Sequence, residues 1–368
     1  MDHFVILHSS IQFVLREQRE DAPEMATIRD VAKLAGVSAA SVSAVTNGRR
    51  GVSPQLAERV QKAVEALDYH PDSVARSLRV RRTHIIGMIV PHIATPFFAE
   101  VLRGAEDEAR QKDYSILICD SVENADLEQR LLNTLVARRV DGILLASADP
   151  YFSAHKLSRR RIPVVFFDRM PAGCQEPAVM VNNAEGAFEA TRHLINLGHR
   201  QIAIISGPLA FSTNAERVEG FRNAMGAAGL PVPEEHLRCS ELRLEGGYRC
   251  ALEMMKLSPR PTALFSTNYE MTLGSLRALR ELGIKCPEEV SVVGFDDLVI
   301  GADGFNWATM ISPQPTTVAQ PGQEIGREAV KLLMDRIEKP DGAQPNGVPS
   351  VLRLRVELHL RESSGPPP

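Results

Sequence analysis

The sequence predicts an α/β protein in which a small helical module precedes a large body built on two doubly wound parallel sheets. Three observations carry this expectation. Residues 26 to 67 hold three short amphipathic patterns separated by "AGVS" and "NGRRGVS". From residue 84 onward, short apolar runs alternate with longer amphipathic stretches in two successive series, the pattern of buried parallel strands joined by crossover helices. The charge is also divided. Residues 26 to 83 carry ten Lys or Arg against five acids, so the segment is +5 and the rest of a chain of net charge −4 sums to −9. A basic module on an acidic body implies that the module meets a polyanion while the body does something else.

With 368 residues, 44% of them hydrophobic, the chain can bury two or three compact cores. Five cysteines, Cys119, Cys174, Cys239, Cys250 and Cys286, lie far apart without a C-x-x-C pair and read as buried thiols of a reducing compartment. No apolar run approaches the ~20 residues of a membrane span. "FVILHSSIQFVL" near the start is broken by His8, Ser9, Ser10 and Gln12, and Asp2 stands where a secretory signal would be basic. Residues 1–24 are therefore expected to be a disordered extension, with Met25 an alternative translation start.

In "TIRDVAKLAGVSAASVSAVTNG", Thr27 is placed to cap a first helix, with Asp30 at the partner position of a capping box, and Gly36 ends it. Ser38 caps a second helix from Ala39 to Thr46, which "NG" at Asn47-Gly48 stops. Val31, Ala35, Val37, Val42 and Val45 are spaced to share one small core at a steep crossing, the helix-turn-helix pattern. A third helix follows Ser53-Pro54 and closes the core with Val60, Val64 and Leu67. "HPDSVARSLRVRR" then predicts a helix of about two turns, too short to be stable alone. Leu78 lies among Arg76, Arg79, Arg81 and Arg82, an apolar wedge flanked by guanidinium groups suited to minor-groove insertion.

These motifs resemble the N-terminus of the LacI/GalR family of bacterial transcriptional regulators. The likeness continues through "VDGILLAS", "LGHRQIAIISGP" and "VSVVGFDD" to about residue 361. It implies a helix-turn-helix DNA-binding domain at 25–71, a hinge helix and linker at 72–83, and an effector-binding and dimerisation domain at 84–361, with 362–368 a disordered tail. The body would be a periplasmic-binding-protein-like pair of lobes with linkers crossing near residues 183, 313 and 345. The partners implied are a palindromic double-stranded operator, a small-molecule effector and a second copy of the chain, with no cofactor, metal or membrane. DNA contacts fall on Thr27, Ser38, Ala39, Ala40, Ser41, Ser43, Ala44, Asn47, Arg50, Ala75, Leu78 and Arg79. Relatives often carry polar residues where Ala39 and Ala40 stand, whereas alanine offers only methyl contact or close approach.

In open α/β sheets a ligand sits beyond the carboxyl ends of the strands. Asp168 and Arg169 follow "VVFF", Arg217 lies in "FSTNAER", and Asp296 ends "VVGFD". By resemblance these reach an effector, as do Asn268 and one of Phe97 and Phe98, the other packing in the core. Tyr269 replaces an acid common in relatives, Thr95 replaces an asparagine, and Leu242 replaces an aromatic residue. Trp307, the single tryptophan, reads equally as a ring face for the ligand or a structural plug. The effector is a small polar molecule: a sugar, a sugar acid or a nucleobase-like compound. No P-loop, G-x-G-x-x-G, H-E-x-x-H or G-x-S-x-G is present to suggest an enzyme. A solute-binding protein would need a cleavable signal and no basic module. A regulator of the same family controlled partly by a protein partner stays open.

Overall fold

The computed structural model describes residues 26–46, 51–69, 82–153, 162–300, 305–339 and 351–368. The expected N-terminal extension, Asn47, Arg50, Ala75, Leu78, Arg79 and the hinge helix fall outside them. The chain divides into two compact units, Met1–Thr83 and His84–Pro368.

The first unit holds α1 (Ile28–Ala35), α2 (Ala39–Thr46) and α3 (Pro54–Ala66). Asp30 forms its half of the box, accepting from the Thr27 amide at 2.8 Å and from its hydroxyl at 2.6 Å. Gly36, at φ 62°, ends α1 in the left-handed region. Ser38 Oγ accepts from the Ser41 amide at 3.1 Å, and Ser53 Oγ from that of Leu56 at 3.3 Å. Val31, Ala35, Val42 and Val60 are buried, with Val37, Val45, Val64 and Leu67 packed partly against them. Leu34, on the outer face of α1, is 56% exposed. The Arg59 guanidinium spans from α3 to the carbonyls of Ala35 and Gly36, satisfying the end of α1.

The second unit runs β1 (Ile85–Val90), α4 (Pro96–Gln111), β2 (Ser115–Asp120), α5 (Ala125–Ala137), β3 (Gly142–Leu145), β4 (Val164–Phe167), β5 (Ala178–Val181), α6 (Asn183–Asn196), β6 (Ile202–Ser206), α7 (Ser212–Ala227), β7 (Leu237–Cys239), α8 (Leu244–Met254), β8 (Ala263–Ser266), α9 (Tyr269–Glu281), β9 (Ser291–Phe295), β10 (Val299–Ile300), β11 (Phe305–Asn306), β12 (Thr316–Ala319), α10 (Gly322–Glu338), β13 (Val351–Leu354) and β14 (Glu357–His359). Two six-stranded sheets result, ordered β13-β5-β4-β3-β1-β2 in lobe 1 and β14-β12-β9-β8-β6-β7 in lobe 2. All pairings within them are parallel except β12 with β14.

The chain crosses between lobes after β5, after β12 and between β13 and β14. The first crossing, at Asn182, lies where the sequence reading put it. The other two fall near 320 and 355 rather than 313 and 345, because the short Thr-rich β12 still belongs to lobe 2 and β13 to lobe 1. Helix α10 returns to lobe 1 and packs on α4 through Gly104 and Gly326. A Cβ on either would stand 1.9 Å from a backbone oxygen of the facing helix, so only glycine permits this approach.

Residues 362–368, expected as a frayed tail, are instead docked on lobe 2. Ser363 is fully buried. Its carbonyl accepts from the Val292 amide at 2.7 Å, and its hydroxyl accepts from the Thr316 amide at 2.9 Å while donating to the Val292 carbonyl. His199 Nε2 donates to the Gly365 carbonyl at 2.8 Å. The composition of "ESSGPPP" suggested disorder, but its small polar residues fit open backbone groups of β9 and β12. Ser363→Ala is therefore expected to cost about 1–3 kcal/mol, because it leaves a buried amide and carbonyl unpartnered. Urea unfolding of the full chain checks this, and a midpoint equal to that of the parent would refute the docking.

Candidate functional site

The strands of both lobes end facing a cavity of about 320 Å³. Its wall is assembled from strand ends and the helix starts that follow them. Lobe 1 supplies His92, Thr95, Phe97 and Phe98 after β1, Glu123 after β2, and Asp168 and Arg169 after β4. Lobe 2 supplies Phe211, Asn214 and Arg217 around the start of α7, Leu242 and Arg243 before α8, Asn268 after β8, Asp296 after β9 and Gln320 after β12.

The two aspartates occupy equivalent places, one in each lobe. Asp168 follows β4 at φ 61° and Asp296 follows β9 at φ 76°, both in the left-handed region, which costs a non-glycine residue roughly 1–3 kcal/mol. Such strain persists only where neighbours fix the backbone. The Asp168 amide donates to the Val179 carbonyl at 3.1 Å, and that of Asp296 to Val318 at 2.9 Å.

Both carboxylates are buried with guanidinium groups. Asp168 Oδ2 lies 3.6 Å from Arg169 Nε, and Arg169 makes a two-pronged pair with Glu123 at 2.8 and 3.0 Å. The Arg169 guanidinium also lies 4.7 Å from the centre of the Phe211 ring, linking the lobes by a cation–π contact. Arg217 donates from Nε to Asn183 Oδ1 at 2.9 Å and from Nη1 to the Thr267 carbonyl, and sits 3.6 Å above the Phe295 ring. Gln320 Nε2 donates to Asp296 Oδ1 at 2.6 Å.

Burial dominates the titration. It pushes the Asp168 carboxyl up to about 6, although Arg169 and Arg217 pull it down, and it also raises Asp296 against the pull of Arg217 and Gln320. Burial lowers the Arg217 guanidinium. Asp297 next door behaves oppositely. Burial raises it too, but hydrogen bonds from Arg361, Asn306 and His359 outweigh that and hold it below the usual range.

Among the described residues, several buried polar atoms around the cavity have no protein partner. They include His92 Nδ1, Asn214 Oδ1 and Gln320 Oε1. Amide oxygens left open in this way accept hydrogen bonds from whatever enters.

Of the expected effector residues, Phe97, Phe98, Asp168, Arg169, Arg217, Asn268 and Asp296 line the cavity together. Both phenylalanines belong at once to the wall and to the buried core, rather than dividing the roles. Asn268 spends its Oδ1 capping α9, accepting from the Met271 amide at 2.8 Å, and donates from Nδ2 to the Leu242 carbonyl at 3.5 Å, which leaves one amide hydrogen to offer. Trp307 is not in the wall. It is 4% exposed and packed behind Asp296, so the plug reading is the one that holds. Sequence reasoning missed Glu123, Phe211, Asn214 and Gln320 as wall residues. Phe211 and Asn214 share "FSTNAER" with Arg217, so helix spacing could have found them; Gln320 needed β12 to be recognised first.

Of the residues expected to meet DNA, Thr27, Ser38, Ala39 and Ala40 are exposed, and Ser41, Ser43 and Ala44 are half-buried along α2.

A family described as "Bacterial regulatory proteins, lacI family" matches residues 27–72, and one described as "Periplasmic binding proteins and sugar binding domain of LacI family" matches residues 83–357. The ribose operon repressor of Escherichia coli (strain K12) is 34% identical over 318 residues, 86% of this chain and 94% of that protein. The HTH-type transcriptional repressor PurR of Pasteurella multocida (strain Pm70) is 36% identical over 341 residues, covering 92% and 98%. The solved structure of a transcriptional regulator CelR–cellobiose complex superposes with a TM-score of 0.68 at 32% identity, over 92% of this chain and 99% of that one.

A carboxyl raised to about 6 weakens the folded chain where it is ionised: the fold binds the proton more tightly than the unfolded state does, so stability falls as pH rises through the window from 3.8 to 6. Asp168→Asn is therefore expected to stabilise the ligand-free protein at pH 7.5, by on the order of 3 kcal/mol. The gain should shrink through that window and vanish near pH 4. Thermal unfolding of both proteins across pH reads it, and a constant difference would contradict the assignment.

Proposed function

The chain belongs to the LacI family of bacterial regulatory proteins and is a ligand-controlled, DNA-binding repressor, and we propose that its controlling ligand is a neutral sugar held between the two lobes of the body. The observation that carries this is the hydrogen-bonding balance of the cavity. Asn214 Oδ1 and Gln320 Oε1 lack protein partners, and the Asp168 and Asp296 carboxylates stand buried beside them. That is a surplus of acceptors, which hydroxyl groups satisfy.

An anionic ligand fits poorly. The wall carries four carboxylates, on Glu123, Asp168, Glu241 and Asp296, against three guanidiniums, on Arg169, Arg217 and Arg243. Arg169 is already paired with Glu123, and Arg217 is already bonded to Asn183 and the Thr267 carbonyl. A sugar acid would find no surplus of free positive charge there. The apolar faces of Phe98 and Phe211 suit the C–H faces of a sugar ring. Relatives that take cellobiose or govern a ribose operon are consistent with this class.

At the other end of the chain, α2 supplies the groove-facing surface through Ser38, Ala39, Ala40, Ser41, Ser43 and Ala44, with Thr27 bonding the phosphate backbone. Two copies meet a palindromic operator, as two-fold symmetry requires. We assign no catalytic role to the cleft, since its polar groups are committed to one another and to a ligand. Among the described residues no helix is long and apolar enough to cross a membrane; a role on DNA supports a cytoplasmic location.

Selection of bound sequences from a random DNA pool yields an operator. Calorimetry with D-ribose, D-glucose, cellobiose, gluconate and adenine then identifies the ligand class. A neutral sugar is expected to bind and change operator affinity, and Arg217→Met to weaken that sugar by roughly 10–100-fold, the scale of hydrogen bonds to a charged group. Binding of gluconate or adenine in preference to every sugar would sink the proposal.

A further inference from the structure

Between β9 and β12 the chain leaves the lobe 2 sheet, forms the β10–β11 hairpin and returns. This excursion does not stay in lobe 2. Leu298, Trp307 and Ala308 are buried in the same hydrophobic cluster as Phe97, Phe98 and Val101 of α4 and the core of lobe 1.

Its tryptophan is tied at the same time to the ligand wall. The indole Nε1 donates to the Asp296 carbonyl at 2.9 Å, and the Trp307 amide donates to the Leu298 carbonyl at 3.2 Å. The Trp307 ring meets that of Tyr269 edge-on, with ring centres 5.9 Å apart. Asn306 locks the base of the hairpin, donating to Asp297 Oδ1 at 2.6 Å and accepting from the Ala308 amide at 2.8 Å. Asp296 holds a left-handed backbone that survives only if its surroundings over-determine it. With its amide taken by Val318, its carbonyl is the remaining handle, and Trp307 holds that handle.

We propose that Trp307 is a positioning residue for effector recognition: its indole N–H fixes the backbone that aims the Asp296 carboxylate, and its ring anchors the same segment in lobe 1. Ligand capture by a lobe 2 residue is thereby coupled to the placement of lobe 1. This rests on the reading of the cleft as the effector site.

The two functions of the side chain separate by substitution in the full chain. Trp307→Phe keeps a ring and loses the N–H, whereas Trp307→Leu loses both. In hydrogen exchange on the ligand-free protein, W307L is expected to deprotect β9 and, across the cleft, α4, while W307F leaves α4 protected as in the parent. Deprotection by W307L confined to lobe 2 overturns the coupling. In calorimetry with D-ribose and cellobiose, W307F is expected to bind whichever sugar the parent binds about tenfold more weakly, the scale of one lost hydrogen bond that orients a group. A lowered unfolding midpoint with unchanged sugar affinity overturns the positioning role, because a merely structural tryptophan moves the first and not the second. A parent chain that binds neither sugar counts against the sugar reading, and the exchange result alone then decides the coupling.

Discussion

Ionised side chains buried where two lobes meet set the terms for the rest of the body. Asp168 comes from lobe 1, Arg217 and Asp296 from lobe 2; Arg217 pulls both carboxyls down, and both carboxylates favour the Arg217 guanidinium. Burial outweighs the guanidinium partners for both carboxyls, so their charged forms are held at a net cost that depends on where those partners sit. The crossing segments are wired into this cluster. Asn183, at the first crossing, accepts from Arg217, and Gln320, at the second, donates to Asp296. Movement of one lobe against the other therefore cannot leave the electrostatics of the cleft unchanged.

The architecture was largely legible in the sequence because its signals are local. Caps at Thr27, Ser38 and Ser53, the Gly36 stop and the apolar runs of β1, β3, β4 and β9 each announce themselves within a few residues. What escaped depends on distant partners. β12 reads as a polar "TTVA", and only its neighbours β9 and β14 make it a strand, so the second crossing was misplaced and Gln320 overlooked. The C-terminal tail has the composition of a frayed end, yet Ser363 is buried because β9 and β12 leave backbone groups that it completes. Trp307 illustrates the same limit for the site. Its position just after a cleft strand was readable, but whether its ring faced the ligand or the core turned on packing against Phe97, Phe98 and Tyr269, residues far away in the chain.

A cavity divided between lobes has a consequence for regulation that one enclosed in a single lobe would lack. A ligand can shift an equilibrium between lobe arrangements only by its differential affinity for them. Taking a population from 1:99 to 99:1 requires about a 10⁴-fold preference. Hydrogen bonds to charged groups contribute about 1.5–3 kcal/mol each, so two to four of them, made in one arrangement and broken in the other, supply that preference. Here lobe 1 offers Asp168 and Arg169 while lobe 2 offers Arg217, Asp296, Asn214 and Gln320. A ligand that bonds to both sets loses one of them when the lobe angle changes. The strain at φ 61° and 76° on the two aspartates sharpens this dependence, since it holds each carboxylate in one direction and denies it the freedom to follow a receding ligand. The direction of the response, release of the operator or tighter binding to it, is then set by which lobe arrangement lets two copies present their helix-turn-helix units at the spacing of the operator half-sites.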